Sequence, residues 1–340
     1  MPQASTRDAF LLVSFGGPEG EDDIEPFLAN VLRGRRVPPE RVQEVAQHYR
    51  LFGGRSPINA QNRSLLAALE AELKRGGLRG LPLYWGNRNW HPFLRDTLVG
   101  MAEDGVTRAF ALVTSAFASY SSCRQYLEDI EAASALVGEK APRVEKLRLF
   151  YNHPGFVEAN AAALGSALRE LEEASSVPAA IVFTAHSLPS AMAASSRYEA
   201  QLLEACRLVA KALGRADWTL AYQSRSGMPQ QPWLGPDISD HLAVLRGEGA
   251  RGVALCPIGF VSDHMEVVYD LDVVAQARAR ELGLAFSRAK TAGTHPAFVS
   301  MIQELLLEKL EGLPPRYLGE MRDERSCEEG CCPPPRREGA

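Results

Sequence analysis

The chain has 340 residues, 46% hydrophobic and 23% charged, with 37 Lys+Arg against 42 Asp+Glu and a formal net charge of -5. At roughly 150 residues per domain this is a two-domain globular chain with ample apolar material for a core. The mild acidity excludes non-specific nucleic-acid binding, which needs a basic face. No apolar run approaches the roughly 20 residues of a membrane span, and the polar Met1–Asp8 stretch has no apolar signal segment. The expected setting is the cytoplasm, with loose attachment to a membrane surface left open.

In chain order, Phe10–Val13 reads as a strand that ends in Ser14-Phe15-Gly16-Gly17-Pro18. A helical pattern covers Asn62 to Lys74. Leu81–Trp85 is a second strand, marked by Pro82 as an edge or a strand start. Ala109–Val113 is a third. A helix runs from Pro154 to Ala174, then a strand at Ala180–Thr184, a helix from Tyr198 to Leu213, a strand at Gly252–Cys256 and a helix from Pro296 to Leu310. Apolar strands without alternation, separated by helices, predict an α/β fold with a doubly wound parallel sheet.

A weak internal repeat supports two similar halves. Ala111-Leu112-Val113 leads through Phe117 and Ser119 to Cys123, and Ala254-Leu255-Cys256 leads in the same register through Phe260 and Ser262 to Glu266. Phe10 to Pro18 likewise matches Ala180 to Pro189. The boundary falls between residues 150 and 177. The expected division is an N-terminal half over 1–150, a C-terminal half over 151–313 and a Cys-rich tail over 314–340. In such sheets ligands bind beyond the carboxyl ends of the strands. Those ends are Ser14 to Pro18, Ser115 to Cys123, Ala185 to Pro189 and Ile258 to Glu266. Neither Gly-x-Gly-x-x-Gly after the first strand nor a Walker A motif is present, and no Gly-x-Ser-x-Gly elbow follows a strand, which disfavours nucleotide binding and that class of hydrolase.

The chemistry-bearing residues cluster at two of these ends. His186 directly follows a strand, where an imidazole can take a proton or bind a metal. The segment after Cys256 holds Asp263, His264, Glu266, Asp270 and Asp272 within ten positions. Glu266 and Asp270 share one helix face. Asp272 lies off that face in a regular helix, and a π-bulge would bring it round. The helix dipole accounts for Asp263 at a helix start, but not for carboxylates continuing among apolar residues.

His186-Ser187-Leu188-Pro189, together with Gly259-Phe260-x-Ser262-Asp263-His264-x-Glu266-x-x-Tyr269-Asp270, resembles the ferrochelatase family, which inserts ferrous iron into porphyrins late in haem synthesis. Asn30 to Pro38, Gly53 to Ile58, Tyr84 to Arg88 and Ser119 to Tyr126 carry the resemblance along nearly the whole chain. It implies two Rossmann-like halves flanking a deep cleft. His186 becomes the base or metal-delivering residue on one face of the ring, and Glu266 faces it to complete the Fe²⁺ site. Asp270 and Asp272 continue a carboxylate path, whose outer end is altered because Val273 and Val274 stand where the family often has a glutamate. His264 is common at this place in the family. Ser56 and Tyr120 are implied porphyrin contacts, with Arg33 and Tyr49 beside them. Phe15 stands where some relatives carry a tyrosine.

The stretch Gly34 to Arg50 is polar and basic, whereas protoporphyrin IX enzymes of the mitochondrial type carry an apolar lip there. Ser119 to Tyr126 is similar to the actinobacterial members. The resemblance therefore points to coproporphyrin III, with four propionates, and Fe²⁺ as substrates. It also implies transient contact with other haem-pathway enzymes. A protoporphyrin IX enzyme, a sirohydrochlorin-type chelatase and a non-catalytic porphyrin or haem carrier are the competing readings.

Six cysteines are too few for a disulfide scaffold. Cys206 and Cys256 read as small buried residues. Cys123, Cys327, Cys331 and Cys332 remain, the ligand count of a [2Fe–2S] cluster or of Zn²⁺. Several ferrochelatases hold a [2Fe–2S] cluster with one internal cysteine and three near the C-terminus, so the resemblance implies that cluster on these four residues. Set apart from the cleft motifs, it would hold the tail on the body.

Overall fold

The structure, a computed structural model, describes residues 7–34, 37–175, 177–226, 230–322 and 330–334. Arg35, Arg36 and Cys327 lie outside the described residues. In the first half, strands β1 (Asp8–Ser14), β2 (Leu83–Asn87), β3 (Arg108–Val113) and β4 (Arg143–Lys146) form a parallel sheet in the order β2-β1-β3-β4. In the second, β5 (Ala179–His186), β6 (Trp218–Gln223), β7 (Gly252–Cys256) and β8 (Ala285–Arg288) repeat that topology as β6-β5-β7-β8. The α/β class and the paired halves are as expected. The predicted strands all form, and Pro82 directly precedes an edge strand. The unpredicted strands β4, β6 and β8 are all edges. A strand covered on fewer sides needs no continuous apolar run, so sequences such as Arg-Val-Glu-Lys carry no pattern to read.

The connecting helices, in chain order, are α1 (Ile24–Val31), α2 (Pro39–Arg50), α3 (Ile58–Arg75), α4 (Leu94–Glu103), α5 (Gln125–Val137), α6 (Pro154–Ser175), α7 (Ser190–Ala194), α8 (Tyr198–Ala212), α9 (Ile238–Gly247), α10 (Met265–Tyr269), α11 (Gln276–Glu281) and α12 (Pro296–Leu310). Two π-helical turns interrupt them, at Tyr120–Arg124 before α5 and at Asp270–Ala275 between α10 and α11. The second falls where the sequence allows a π-bulge, and it includes Asp272.

Strand alternation decides how the halves join. Phe10, Leu12, Phe110 and Leu112 point from the first sheet into one core, and Ile181, Phe183, Ala185, Ala254 and Cys256 enter the same core from the second. Helices α3, α6, α8 and α12 fill it with Leu65, Leu69, Phe156, Leu164, Leu202, Cys206, Phe298 and Ile302. The other faces pack separately: Leu11 and Val13 against α4 and α5, and Val182, Val253 and Leu255 against α9 and the helices after β7. Period-two alternation therefore serves a shared inner core and two private outer ones. Each fully buried Leu or Phe contributes about 1.5–3 kcal/mol, and the shared layer fixes the two sheet ends relative to each other. Among the described residues no helix is long and apolar enough to cross a membrane.

Candidate active site

In each sheet the strand order reverses between the first and third strands, and the crevice at such a reversal is where ligands bind. His186 closes β5 at this point in the second half. The ring Nδ1 hydrogen-bonds the Ser187 carbonyl, so it carries the proton and leaves Nε2 facing outward. The His186 carbonyl accepts from Tyr198 Oη at 3.0 Å, and Ser187 N–H donates to the Gln223 carbonyl at 2.8 Å.

Glu266 arrives from β7. The turn after Cys256 passes so close to β5 that a Cβ on Gly259 would lie 2.7 Å from both Cα and Cβ of Ala185. Only glycine permits that approach. His264 then caps α10, its Nδ1 accepting from Glu266 N–H at 3.2 Å. This brings Glu266 Oε1 to 3.4 Å from His186 Nε2, and Oε2 to 3.9 Å from His264 Nδ1. The side chains are partly exposed, 28% for His186 and 48% for Glu266.

The electrostatics follow from these distances. Burial alone would raise the Glu266 carboxyl, but the charges of His186 and His264 prevail and hold it at about 2. Burial lowers His186, and the Glu266 carboxylate overrides it, so the imidazole is raised above its ordinary value. His264 is lowered by burial, with the His186 charge adding to the effect. Asp270 is raised to about 6 by burial, helped by the Glu266 charge and opposed by the hydroxyl of Ser224 donating to Oδ2. The site thus holds a polarised imidazole–carboxylate pair beside a carboxyl that titrates near neutrality, an arrangement suited to moving protons and to offering nitrogen and oxygen donors to a metal.

The structure brings together His186, Glu266 and Asp270, and it places Asp272 in an ion pair with Arg288. Among the described residues no three His, Cys, Asp or Glu side chains converge as a metal-holding group. Tyr49 is buried against Phe27, and its phenol is pushed up by burial and by the Glu266 charge. Ser56 is buried where its Cβ would lie 2.5 Å from a Cβ on Gly17. Tyr120 is half-buried, and its hydroxyl donates to Glu128 Oε2 at 3.1 Å. Arg33 is exposed and donates to Asn30 Oδ1 at 2.7 Å. Phe15 carries the Arg88 guanidinium 6.0 Å from its ring centroid.

Sequence reading missed Gln223, Ser224 and Arg288. Gln223 Nε2 donates to the Glu266 carbonyl, and Ser224 sits at a left-handed φ of 63° to reach Asp270. A non-glycine residue held there marks a constrained site. Gln223 and Arg288 end the unpredicted edge strands β6 and β8, and Ser224 directly follows β6. The row of acids was itself the usable signal for Arg288, since a row among apolar residues needs a cation.

Cys123 lies within the first π-turn, 2% exposed, with Lys146 Nζ donating to its Sγ at 3.1 Å. Cys332 is buried at a φ of 51°, and Cys331 lies close enough to act on the charge of Arg124, the neighbour of Cys123. Cys206 and Cys256 are buried in the core, as expected. The start of the tail is held independently: Arg148 donates to the Arg316 carbonyl at 3.1 Å, Leu318 N–H to the Asn152 carbonyl at 2.9 Å, and Asn152 Nδ2 to the Met321 carbonyl at 2.6 Å.

Two parallel α/β halves of the same strand order give the fold seen in solved chelatases. The fold is shared with the sirohydrochlorin chelatase of Bacillus subtilis subspecies spizizenii in complex with cobalt, at a TM-score of 0.51 and 11% identity, covering 90% of this chain and 96% of that one. Within the class the sequence is decisive: the ferrochelatase family profile matches residues 7–310, and the chain belongs to the ferrochelatase family. It is 52% identical to the coproporphyrin III ferrochelatase of Nocardia farcinica over 98% of each chain. It is equally 52% identical to a ferrochelatase of Rhodopirellula baltica, over 98% of this chain and 95% of that one. The coproporphyrin III ferrochelatase of Mycolicibacterium smegmatis is 50% identical over 91% and 92%.

Proposed function

We propose that this enzyme inserts Fe²⁺ into coproporphyrin III, giving the iron porphyrin and two protons. The observation that carries the reading is the 3.4 Å approach of His186 Nε2 to Glu266 Oε1 at the reversal point of the second sheet. A free-base porphyrin holds two pyrrole N–H protons that the metal must replace. His186 and Glu266 supply two donors of moderate strength, and the remaining positions of the ion are left for water and then for pyrrole nitrogens. Imidazole and carboxylate bind Fe²⁺ without the grip of a closed thiolate cage, so the ion can be released into the ring. As the metal passes from this pair into the ring, the donors it frees, His186 and Glu266, take the two pyrrole protons, and Asp270, raised to about 6, passes them outward.

Ser56, Tyr120, Arg33 and Tyr49 are the proposed contacts to the macrocycle and its carboxylates, Arg33 by a guanidinium fork. The choice of coproporphyrin III over protoporphyrin IX is supported by the names of the Nocardia farcinica and Mycolicibacterium smegmatis relatives and by the polar Gly34–Arg50 stretch. A product with four propionates needs oxidative decarboxylation to become haem, so an enzyme of that class is the expected recipient, in the cytoplasm.

Cys123, Cys327, Cys331 and Cys332 are proposed to hold a [2Fe–2S] cluster. The ammonium beside Cys123 complements an anionic sulfur, and Cys331 lies near Arg124, which supports a common site. When bound, the cluster supplies a cross-link between tail and body. Cys327→Ser is expected to abolish its visible absorption in purified protein, and an unchanged spectrum removes Cys327 from the ligand set.

Anaerobic Fe²⁺ insertion, with coproporphyrin III and protoporphyrin IX compared side by side, tests the main reading. Preference for coproporphyrin III is expected. Preference for protoporphyrin IX overturns the substrate assignment and keeps the chemistry, and binding without insertion of either overturns both.

A further inference from the structure

Arg288, the last residue of β8, stands at the centre of an ion-pair chain that none of the steps above uses. Its side chain is 14% exposed. Nε and Nη2 grip both carboxylate oxygens of Asp272, the latter at 2.8 Å, while Nη1 reaches Asp263 Oδ1 at 3.1 Å. Asp263 precedes Glu266 by three residues and Asp272 follows it by six. One guanidinium therefore ties both ends of the segment that carries Glu266 and Asp270. The tie continues across the molecule: Gln61 Nε2 donates to Asp263 Oδ2 at 3.2 Å, and Asp263 N–H donates back to Gln61 Oε1 at 2.8 Å. Gln61 lies in the first turn of α3, five residues after Ser56.

The segment needs such a tie. A π-turn is a strained insertion that its own backbone bonds hold poorly. A bidentate arginine–carboxylate pair fixes orientation as well as distance. Glu266 sits 3.4 Å from His186, a separation that small shifts of the turn would spoil. We propose that Arg288 is a positioning residue for Glu266, and that Asp272 belongs to this clamp rather than to a metal path. The inference rests on the catalytic reading of His186 and Glu266.

Arg288→Met, Asp272→Asn, their combination, Arg288→Lys and Glu266→Gln form the test, with kcat and separate KM values for Zn²⁺ and coproporphyrin III, and melting curves alongside. A misplaced catalytic group is expected to lower kcat by about tenfold or more in each clamp variant. Both KM values should stay within about twofold, because the clamp touches neither substrate. The double variant should be no worse than Arg288→Met alone, since that substitution already removes the Asp272 contact together with the Asp263 one. Arg288→Lys, which can keep one contact, should regain part of kcat. A metal path predicts the reverse: Asp272→Asn raises the KM for Zn²⁺, and Arg288→Met, which frees Asp272, leaves kcat intact. Either result overturns the clamp. Asp272→Asn is close to isosteric and keeps the test open if Arg288→Met fails to fold. Loss of turnover in Glu266→Gln with a fully active Arg288→Met defeats this inference alone, whereas a fully active Glu266→Gln defeats the catalytic reading beneath it.

Discussion

The two halves are built alike and end differently. Both sheets have the same strand order, and both third strands lead through a phenylalanine and a serine to a π-helical turn. At the matching position one half has Cys123 and the other Glu266. Cys123 is 2% exposed and faced by a lysine ammonium, whereas Glu266 is 48% exposed and faced by two imidazoles. The comparison separates what topology supplies from what residues supply. Topology delivers a side chain to the sheet reversal in both halves, and the local charge and access make one place a closed thiol and the other an open carboxylate.

The sharpest way to break the comparison is to remove the open-side carboxylate. Glu266→Gln keeps shape and removes charge, and His186→Ala removes its partner. Each is expected to cost about 10²–10⁴-fold in kcat, the usual weight of a proton-transfer group. Porphyrin affinity, read by fluorescence quenching, should persist. Loss of affinity in step with turnover would reassign both residues to binding.

A second contrast lies in the backbone. The repeat aligns Gly259 with Ala116, which is buried and carries its Cβ without difficulty. Gly259→Ala would drive a methyl to 2.7 Å from the backbone of Ala185, the neighbour of His186. Overpacking of this kind costs about 1–3 kcal/mol. Urea titration should place Gly259→Ala well below the parent, with turnover falling further because His186 is displaced. Equal stability of the two proteins would mean that the turn relaxes freely.

These contrasts also mark what could be read in advance. Buried central strands such as Phe10–Val13 and Gly252–Cys256 are visible because coverage on both faces demands continuous apolar residues. His186, Glu266 and Asp270 are visible because charged groups among apolar neighbours need a reason. The edge strands β4, β6 and β8 obey no such demand, and with them went Gln223, Ser224 and Arg288. Their role depends on which loop the fold lays beside them, a tertiary fact that no local pattern encodes. The left-handed φ of Ser224 is equally silent in sequence.

Lys146→Met sharpens the closed side. Without the ammonium 3.1 Å from Cys123 Sγ, an anionic sulfur there loses a complementary charge. The visible absorption of the proposed cluster should fall per chain, or bleach faster under chelator, while insertion by the chains that remain loaded changes little. Unaltered absorption and chelator resistance would show that the lysine serves packing alone.

The last expected effect, absent at neutral pH, concerns the joint between the halves. His153 is fully buried just before α6, its Nδ1 accepting from Gly155 N–H at 3.1 Å and its Nε2 3.3 Å from Glu304. Burial, with Arg148 and Arg316 nearby, lowers it from an ordinary 6.5 to about 3. Above pH 6.5 the ring is neutral in both folded and unfolded chains, and its full contribution to stability is present. As pH falls, the unfolded chain takes the proton first, so that contribution is lost progressively until the folded ring also protonates at about 3. The loss approaches about 1.4 kcal/mol per pH unit within that window. His153→Gln can keep both contacts without titrating. Denaturation at pH 8, 6, 5 and 4 should therefore show the variant losing stability less steeply than the parent, while the two change little relative to each other above pH 7. Parallel curves down to pH 4 would mean that the ring is already charged in the fold, with Glu304 rather than the arginines dominating its surroundings.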